Sequence, residues 1–428
     1  MAILWIYFLI PYSLPVPVRT VRPGGRSGGL IRYFRFQKRM KKNLLFFSFL
    51  CLVMFANAQS KFSFNGYLKE LSMYYKPIES IPVSATDSLN YLFLNQIHNR
   101  LNFRWDATEK LTFDLEIRNR LFFGQMVKKF PPYKEMINQD GGYIDMGVIV
   151  ASADSWFLHS SIDRAWIDYT FNKLQARIGR QRINWGINLV WNPNDIFNTF
   201  SYFEFDYEER PGTDGIKLQY FTGETSSAEL VYKIGHNPDE TAVAGMYRFA
   251  RFNTDFQVLG GWMGKDYVLG GGWSGDIKGG GFRGEVSWFI PREIDNGSWE
   301  AVIASVSGDY YLQNQIYLHT GILYNSHGTT GNAGGRSFFS PDISAKMLSL
   351  GRYNLFGQIS YPFTPLFTGS FATMLNPSDG SVFLGPTLTY SLSNNWELMV
   401  NGQLFYGDDG TEYGDYGKAV YGRVRWSF

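Results

Sequence analysis

Apolar and polar residues alternate along extended stretches of this chain, most clearly from Tyr91 to Phe123. Leu111, Phe113, Leu115, Ile117, Leu121 and Phe123 hold odd positions. Thr112, Asp114, Glu116, Arg118 and Arg120 hold the even positions between them; only Asn119 and Phe122 break the rhythm. Just upstream, Phe93, Ile97, Leu101, Phe103 and Trp105 share one face, and Gln96, His98, Arg100, Asn102, Arg104 and Asp106 the other. Side chains alternate along a strand, so the pattern predicts a hairpin with one apolar and one charged face. With the turn at Ala107-Thr108-Glu109 and Asp106 facing Lys110, Arg100 faces Glu116, Asn102 faces Asp114, and His98 faces Arg118. Strands this long exceed the ~5–6 residues typical of globular sheets. They suit the about 9–11 tilted residues that cross a bilayer. The expected fold class is all-β: a transmembrane antiparallel barrel, apolar outside and charged within.

The same rhythm recurs along the chain. Phe62–Tyr75 reads as a first strand. Gly124–Ser161 reads as a long loop. Ile162–Phe171 and Leu174–Arg182 form a hairpin turning at Asn172-Lys173. Its outward set is Ala165, Ile167, Tyr169, Phe171, Leu174, Ala176 and Ile178; Arg164, Asp168, Gln175 and Arg177 point inward. Ile183–Gly212 reads as a second long segment. Strands resume at Gly215–Phe221 and Ala228–Ile234, followed by a glycine-rich run from Ala244 to Phe289. Later strands are expected at Trp299–Tyr311, Gln315–Asn325, Tyr353–Tyr361, Phe367–Leu375, Val382–Ser391, Trp396–Tyr406 and Lys418–Phe428. Pro386 interrupts one of them, and Ser326–Ser349 is a third long loop. Gly270-Gly271-Gly272 reads as turn or thin wall. The total is roughly 16 to 18 strands, and bacterial single-chain barrels have even numbers.

The amino end falls outside this pattern. Met40-Lys41-Lys42, an apolar core from Leu44 to Phe55, and Ala56-Asn57-Ala58 make a signal peptide over 40–58 that is cut before Gln59. Residues 1–39 read as an over-extended reading frame ahead of Met40, unstructured, leaving 59–428 as the barrel. Cys51, the single cysteine, lies in the leader, so the mature chain forms no disulfide. The whole chain carries +2. Without the nine Lys and Arg of residues 1–58, 31 basic residues face 38 acidic ones, net −7. Nothing in this balance suggests nucleic-acid binding. Mean hydropathy of −0.19 excludes a bundle of membrane helices and leaves a barrel open.

The carboxyl end carries a further signal. Val424, Trp426 and Phe428 share one face of the last strand. This ending resembles the terminal signature of bacterial outer-membrane barrels, which implies recognition by the barrel-assembly machinery and a place in the outer membrane of a Gram-negative bacterium.

One stretch departs from simple alternation. Arg177-Ile178-Gly179-Arg180-Gln181-Arg182-Ile183-Asn184-Trp185-Gly186 is followed by Trp191-Asn192-Pro193-Asn194-Asp195 and then Arg210-Pro211-Gly212. Here the chain resembles porin-like outer-membrane proteins with a GRQ-x-x-N-W-G segment, which implies a channel role. Irregular backbone at membrane depth must line a cavity or be buried in protein. The segment is therefore expected to fold into the lumen as a constriction. Arg100, Arg118, Arg120, Arg164, Arg177, Arg180, Arg182, Asn184, Trp185 and Arg210 are the candidate pore-lining residues. Two readings stand side by side. These arginines act on passing ions, or they brace the barrel against Asp163, Asp168 or Glu204. In the first reading Arg118, Arg120, Arg164 and Arg177 form a basic stripe, as charged rings do in selective pores.

Other functions find less support. His98, His159, His236, His319 and His327 sit in no nucleophile motif and no metal spacing such as H-E-x-x-H. No enzyme, metal or cofactor is expected. The expectation is a passive channel for small hydrophilic solutes, anions among them, surrounded by outer-membrane lipid. The alternative is a non-conducting barrel that anchors surface polymers or partner proteins.

Overall fold

The computed structural model describes residues 61–82, 88–294, 297–334 and 343–428. The expected leader, with Ala56, Ala58 and Gln59, and the stretch 1–39 lie outside the described residues. In chain order the strands begin with β1 (Lys61–Lys76), the short β2 (Ile81–Pro82) and β3 (Ser88–Leu89), β4 (Leu92–Thr108) and β5 (Leu111–Gly124). Two short helices follow, α1 (Gln125–Lys129) and α2 (Pro132–Ile137), then β6 (Gly147–Ala153), β7 (Trp156–Phe171) and β8 (Leu174–Gln181). After a strandless interval come β9 (Thr213–Phe221), β10 (Ser227–Lys233), β11 (Ala242–Arg251), β12 (Thr254–Met263), β13 (Asp266–Ile277) and β14 (Gly280–Pro291). The rest are β15 (Ala301–Tyr311), β16 (Tyr317–Asn325), β17 (Tyr353–Thr364), β18 (Phe367–Leu375), β19 (Val382–Ser393), β20 (Trp396–Tyr406) and β21 (Lys418–Ser427).

A nineteen-stranded antiparallel sheet closes on itself where β1 pairs with both β4 and β21. Eighteen strands are staves. The nineteenth, β6, lies beside the Trp156–Ser161 half of β7, while β8 takes the other half from Ala165 to Phe171. It covers the wall where β8 stops at Gln181. β2 and β3 pair only with each other.

The expected strands match these staves closely, with three differences. The interval Gly124–Ser161 is not a single loop; it holds α1, α2, β6 and the first residues of β7. The first hairpin is shifted by one pair. Thr108 faces Leu111 after a bulge, so Asn102 faces Glu116, Arg104 faces Asp114, and Arg100 faces Arg118. The shift is two residues, so every side chain keeps its face and only its partner changes. The glycine run 270–272 lies within β13 and not at a turn.

The faces separate as alternation requires. Leu115, Ile167, Ile178, Leu230, Val258, Leu269, Ile322 and Val400 are exposed on the outer wall. Above and below them lie aromatic girdles. Tyr74, Phe93, Trp156, Tyr267, Trp288 and Tyr353 mark the long-loop end, and Phe64, Tyr169, Phe171, Tyr310, Tyr390 and Trp426 the short-turn end. An apolar band between aromatic girdles is the outer surface of a bilayer-spanning barrel. The short-turn end has connections as tight as Asn172-Lys173, where Asn172 takes φ 53°. Pro386, with no N–H to give, interrupts the β19–β20 ladder between Leu384 and Thr387.

The carboxyl end completes the closure. Gly66 and Phe428 exchange two backbone hydrogen bonds of 3.0 Å, and the Phe428 ring lies 5.7 Å from Phe64 and 5.1 Å from Trp426. Only glycine fits at 66, because a Cβ there would stand 2.1 Å from the Arg100 carbonyl oxygen on β4 and 3.0 Å from the Phe428 ring. Deleting Phe428 removes both bonds and both ring contacts. Slower appearance of the heat-modifiable folded form is expected on gels; an unchanged folding rate would count against a role for Phe428 in closure.

Candidate functional site

The site is built around residues 182–212, which leave the wall after β8 and return at β9. The departure begins at Gly179, whose φ of 119° lets Arg180 and Gln181 both turn inward. Gln181 Nε2 donates to the Gly215 carbonyl, and Asn198 ties the two ends of the segment together. Asn198 accepts from the Ile183 N–H at 2.9 Å and donates to the Pro211 carbonyl at 2.9 Å.

The first half of the segment packs into the barrel. Ile183, Trp185, Val190, Trp191, Ile196 and Phe197 are buried with inward residues of the wall such as Met246, Leu259, Phe289 and Ile303. Trp185 meets Phe197 edge-on at 4.9 Å and donates through Nε1 to Glu229 at 3.0 Å. This backbone has no neighbouring strand, so wall side chains must satisfy its polar groups. Glu285 on β14 accepts from three of its N–H groups: Ile187, Asn188 at 2.7 Å and Asn194 at 2.9 Å. Gln257 donates to the Trp185 carbonyl at 2.6 Å. Asn188 bonds Ser305 and Ser307, and Asn194 bonds Ser287 and the Gly271 carbonyl. A Cβ at Gly272 would come within 2.9 Å of Ile187, so the thin wall there admits the segment.

The second half, Phe200–Arg210, crosses toward the closing strands. Asp206 meets Lys69 at 2.9 Å and Arg423 at 3.3 Å; Glu208 meets Arg425 at 3.1 Å. Glu209 accepts from Tyr67 Oη at 3.3 Å and lies 3.8 Å from Arg100. Gln403 donates to the Phe203 carbonyl at 2.8 Å. Asp206, Glu208 and Glu209 are therefore fastened inside the lumen. Burial pushes the Glu204 carboxyl above its ordinary range, against the pull of Arg118.

The candidate arginines fall into two groups. Arg100 is fully buried and meets Glu116 and Asp163, the latter at 2.6 Å. Arg164 donates to the Glu209 and Arg210 carbonyls at 2.8 and 2.6 Å. Arg177 pairs with Asp168 at 2.8 Å beneath the Trp166 ring. Arg180 pairs with Asp140 and Asp214, each at 2.7 Å. Burial opposes the ionised form of Asp140. The hydrogen bond from Arg180, with those from the Met146 and Gly142 N–H groups, nonetheless holds its carboxyl below the usual range. Arg118, in contrast, lies 3.8 Å over the Tyr207 ring, with Asp163 at 3.7 Å. Arg120 reaches His159 Nδ1 at 3.1 Å. Arg210 stacks on Phe200 at 3.2 Å, Arg182 Nε is buried without a hydrogen-bond partner, and Asn184 is exposed.

Three cavities adjoin around the crossing. One of about 510 Å³ is lined by Arg118, Arg120, His159, Arg180 and Lys233 among others. A second of about 440 Å³ shares Arg118 and Arg120 and adds Tyr133 and Glu204. A third of about 460 Å³ is lined by Glu204, Arg210, Asn401, Gln403 and Arg423. Tyr207 lines all three. Arg100, Arg164, Arg177, Arg182, Asn184 and Trp185 line none of them.

Comparison with solved structures places this architecture. The chain is similar to Acinetobacter baumannii OccAB3, with 13% identity and a TM-score of 0.55 over 87% of this chain and 99% of that one. It is similar to Pseudomonas aeruginosa OprD, with 9% identity and a TM-score of 0.54 over 87% and 97%. A BenF-like porin from Pseudomonas fluorescens Pf-5 gives 9% identity and a TM-score of 0.54 over 86% and 98%. The fold is that of an outer-membrane porin barrel. No protein-family model and no curated protein matches the chain. These likenesses do not bear on the GRQ-x-x-N-W-G motif.

Several residues of the site were not singled out by sequence. Glu285 carried a usable signal, a carboxylate at an inward position of a strand whose neighbouring inward residues are Ser287 and Phe289. Asp163 is a possible brace by sequence and does meet Arg100, Arg118 and Arg164, but its inward direction carried no signal. A bulge opposite Glu116 and Ile117 turns it inward beside Arg164, which strict alternation forbids. Lys69 and Arg423 point inward by alternation, but their shared partner in the crossing, Asp206, lies more than a hundred residues from each.

Proposed function

We propose that this chain is a passive channel for small hydrophilic solutes, anions among them, across the outer membrane of a Gram-negative bacterium. The observation that carries this reading is the lumen crossing with polar, charged cavities meeting at Tyr207. Irregular backbone is held at membrane depth only where protein or a watered cavity satisfies it, and here wall side chains satisfy it beside cavities with polar linings. Solutes pass by diffusion, and Arg118, Arg120 and Arg210 set the local field along the cavities. Arg100, Arg164, Arg177 and Arg180 hold the crossing and the wall in place. One of the similar structures is a BenF-like porin, which supports the same reading. Discrete conductance steps are expected when the purified barrel enters a planar lipid bilayer. A folded, inserted barrel that passes no current would sink the proposal and favour a non-conducting anchor.

The proposal extends to biogenesis. The mature chain begins at Gln59, and the barrel-assembly machinery reads the strand carrying Val424, Trp426 and Phe428. An intact mass for the outer-membrane form that begins at Gln59 is expected; a mass retaining residues 1–39 would overturn the reading of that stretch.

A further inference from the structure

The outer wall is apolar nearly all the way round, but not across β1, β4, β5 and β7. Between the girdles these four staves carry Glu70, Ser72, Asn95, Asn99, Asn119 and Ser160 on the face that includes Leu68, Ile97 and Leu121. The six form two connected rows. Ser72 Oγ lies 2.7 Å from Glu70 and 2.8 Å from Asn95 Oδ1. Ser160 donates to Asn119 at 2.8 Å, Asn119 to Asn99 at 3.3 Å, and Asn99 to the Tyr67 carbonyl at 3.3 Å. Elsewhere between the girdles, among the described residues, outward positions are aliphatic, aromatic, glycine or proline, apart from Thr320 and Thr373.

A carboxylate and three carboxamides facing hydrocarbon are costly, and polar side chains within a membrane characteristically face protein. The bonds inside the patch leave the second Glu70 oxygen and the Asn95 amide donors unused. We infer that this wall is the contact by which two copies of the chain associate in the membrane. The occupant follows from the chemistry. Asn and Ser both donate and accept, so a copy related by an axis parallel to the barrel sets each row at its own depth against matching groups. Lipid chains offer neither donor nor acceptor. A concavity of about 900 Å³ beside the patch, walled by Ile97, Leu121, Phe123 and Trp156, breaks the convexity that otherwise limits contact between barrels.

The inference rests on the bilayer placement in the proposed function, and conductance of the same preparation tests that placement separately. The chain has one cysteine, Cys51, so a Cys51→Ala background gives clean disulfide trapping. With Asn119→Cys, oxidation in native membranes is expected to yield a species of twice the mass. Val306→Cys on β15 is expected to yield none. The triple variant Glu70→Leu, Asn99→Leu, Asn119→Leu suits lipid, so it is expected to keep the heat-modifiable barrel while shifting the parent's native mass from dimer to monomer. A monomeric parent in lipid nanodiscs, equal trapping at Val306→Cys, or an adduct of another mass at Asn119→Cys would overturn the inference.

Discussion

Glu285→Ala is expected to raise single-channel conductance severalfold in a barrel that still closes. Glu285 is buried on the inner face of β14 and accepts from the Ile187, Asn188 and Asn194 N–H groups. Alanine leaves all three without an acceptor, at about 1–3 kcal/mol for each buried orphan. They regain partners only if water enters or the segment leaves the wall, and either event widens the path beside the crossing. The staves are spared, because β14 keeps its ladders with β13 and β15. Glu285→Gln retains one acceptor oxygen but presents an NH₂ to the remaining N–H groups, so an intermediate rise is expected. Planar-bilayer recordings, with heat-modifiable mobility as the check on folding, decide it. If Glu285→Ala folds and conducts like the parent, the crossing either stays in place without this carboxylate or does not limit flow.

Replacing Arg118 and Arg120 together by Gln should move the reversal potential in a salt gradient toward cation preference. Both line the two cavities of about 510 and 440 Å³, where a passing ion comes within reach of their charge. Fixed charges act over about a Debye length, ~8 Å at physiological salt, and more strongly where the surroundings are less polar than water. The barrel should survive the change. Asp163 loses Arg118 but keeps Arg100 at 2.6 Å and Arg164 at 3.5 Å. Arg177→Gln is the instructive comparison, since Asp168 at 2.8 Å already compensates that charge and Arg177 lines none of the three cavities. Its effect on selectivity should be much smaller. Arg100→Gln should instead cost stability, about 3–5 kcal/mol for a buried ion pair broken from one side. An unchanged reversal potential in the open, folded Arg118/Arg120 double variant would assign these two arginines to bracing as well.

By itself the sequence determined the barrel, the direction of nearly every side chain and the place where the chain leaves the wall. These follow from local rules, a period of two along each strand and turns that tolerate φ above zero, as at Asn172. The faces survived even where the register did not, because the bulge near Thr108 moved the first hairpin by a whole pair. Only the tertiary structure decided which arginines border the cavities and which are held away from them. Alternation placed Arg100, Arg118, Arg164 and Arg177 on one inner face without distinguishing them. The distinction depends on where Asp163 turns at its bulge and where Glu209 arrives after crossing the lumen. Nor could a single strand show that Glu285 would hold a segment almost a hundred residues earlier in the chain. Closure brings such partners together, and a charge separated from its counter-ion by a hundred residues of sequence carries no mark of which one it will meet.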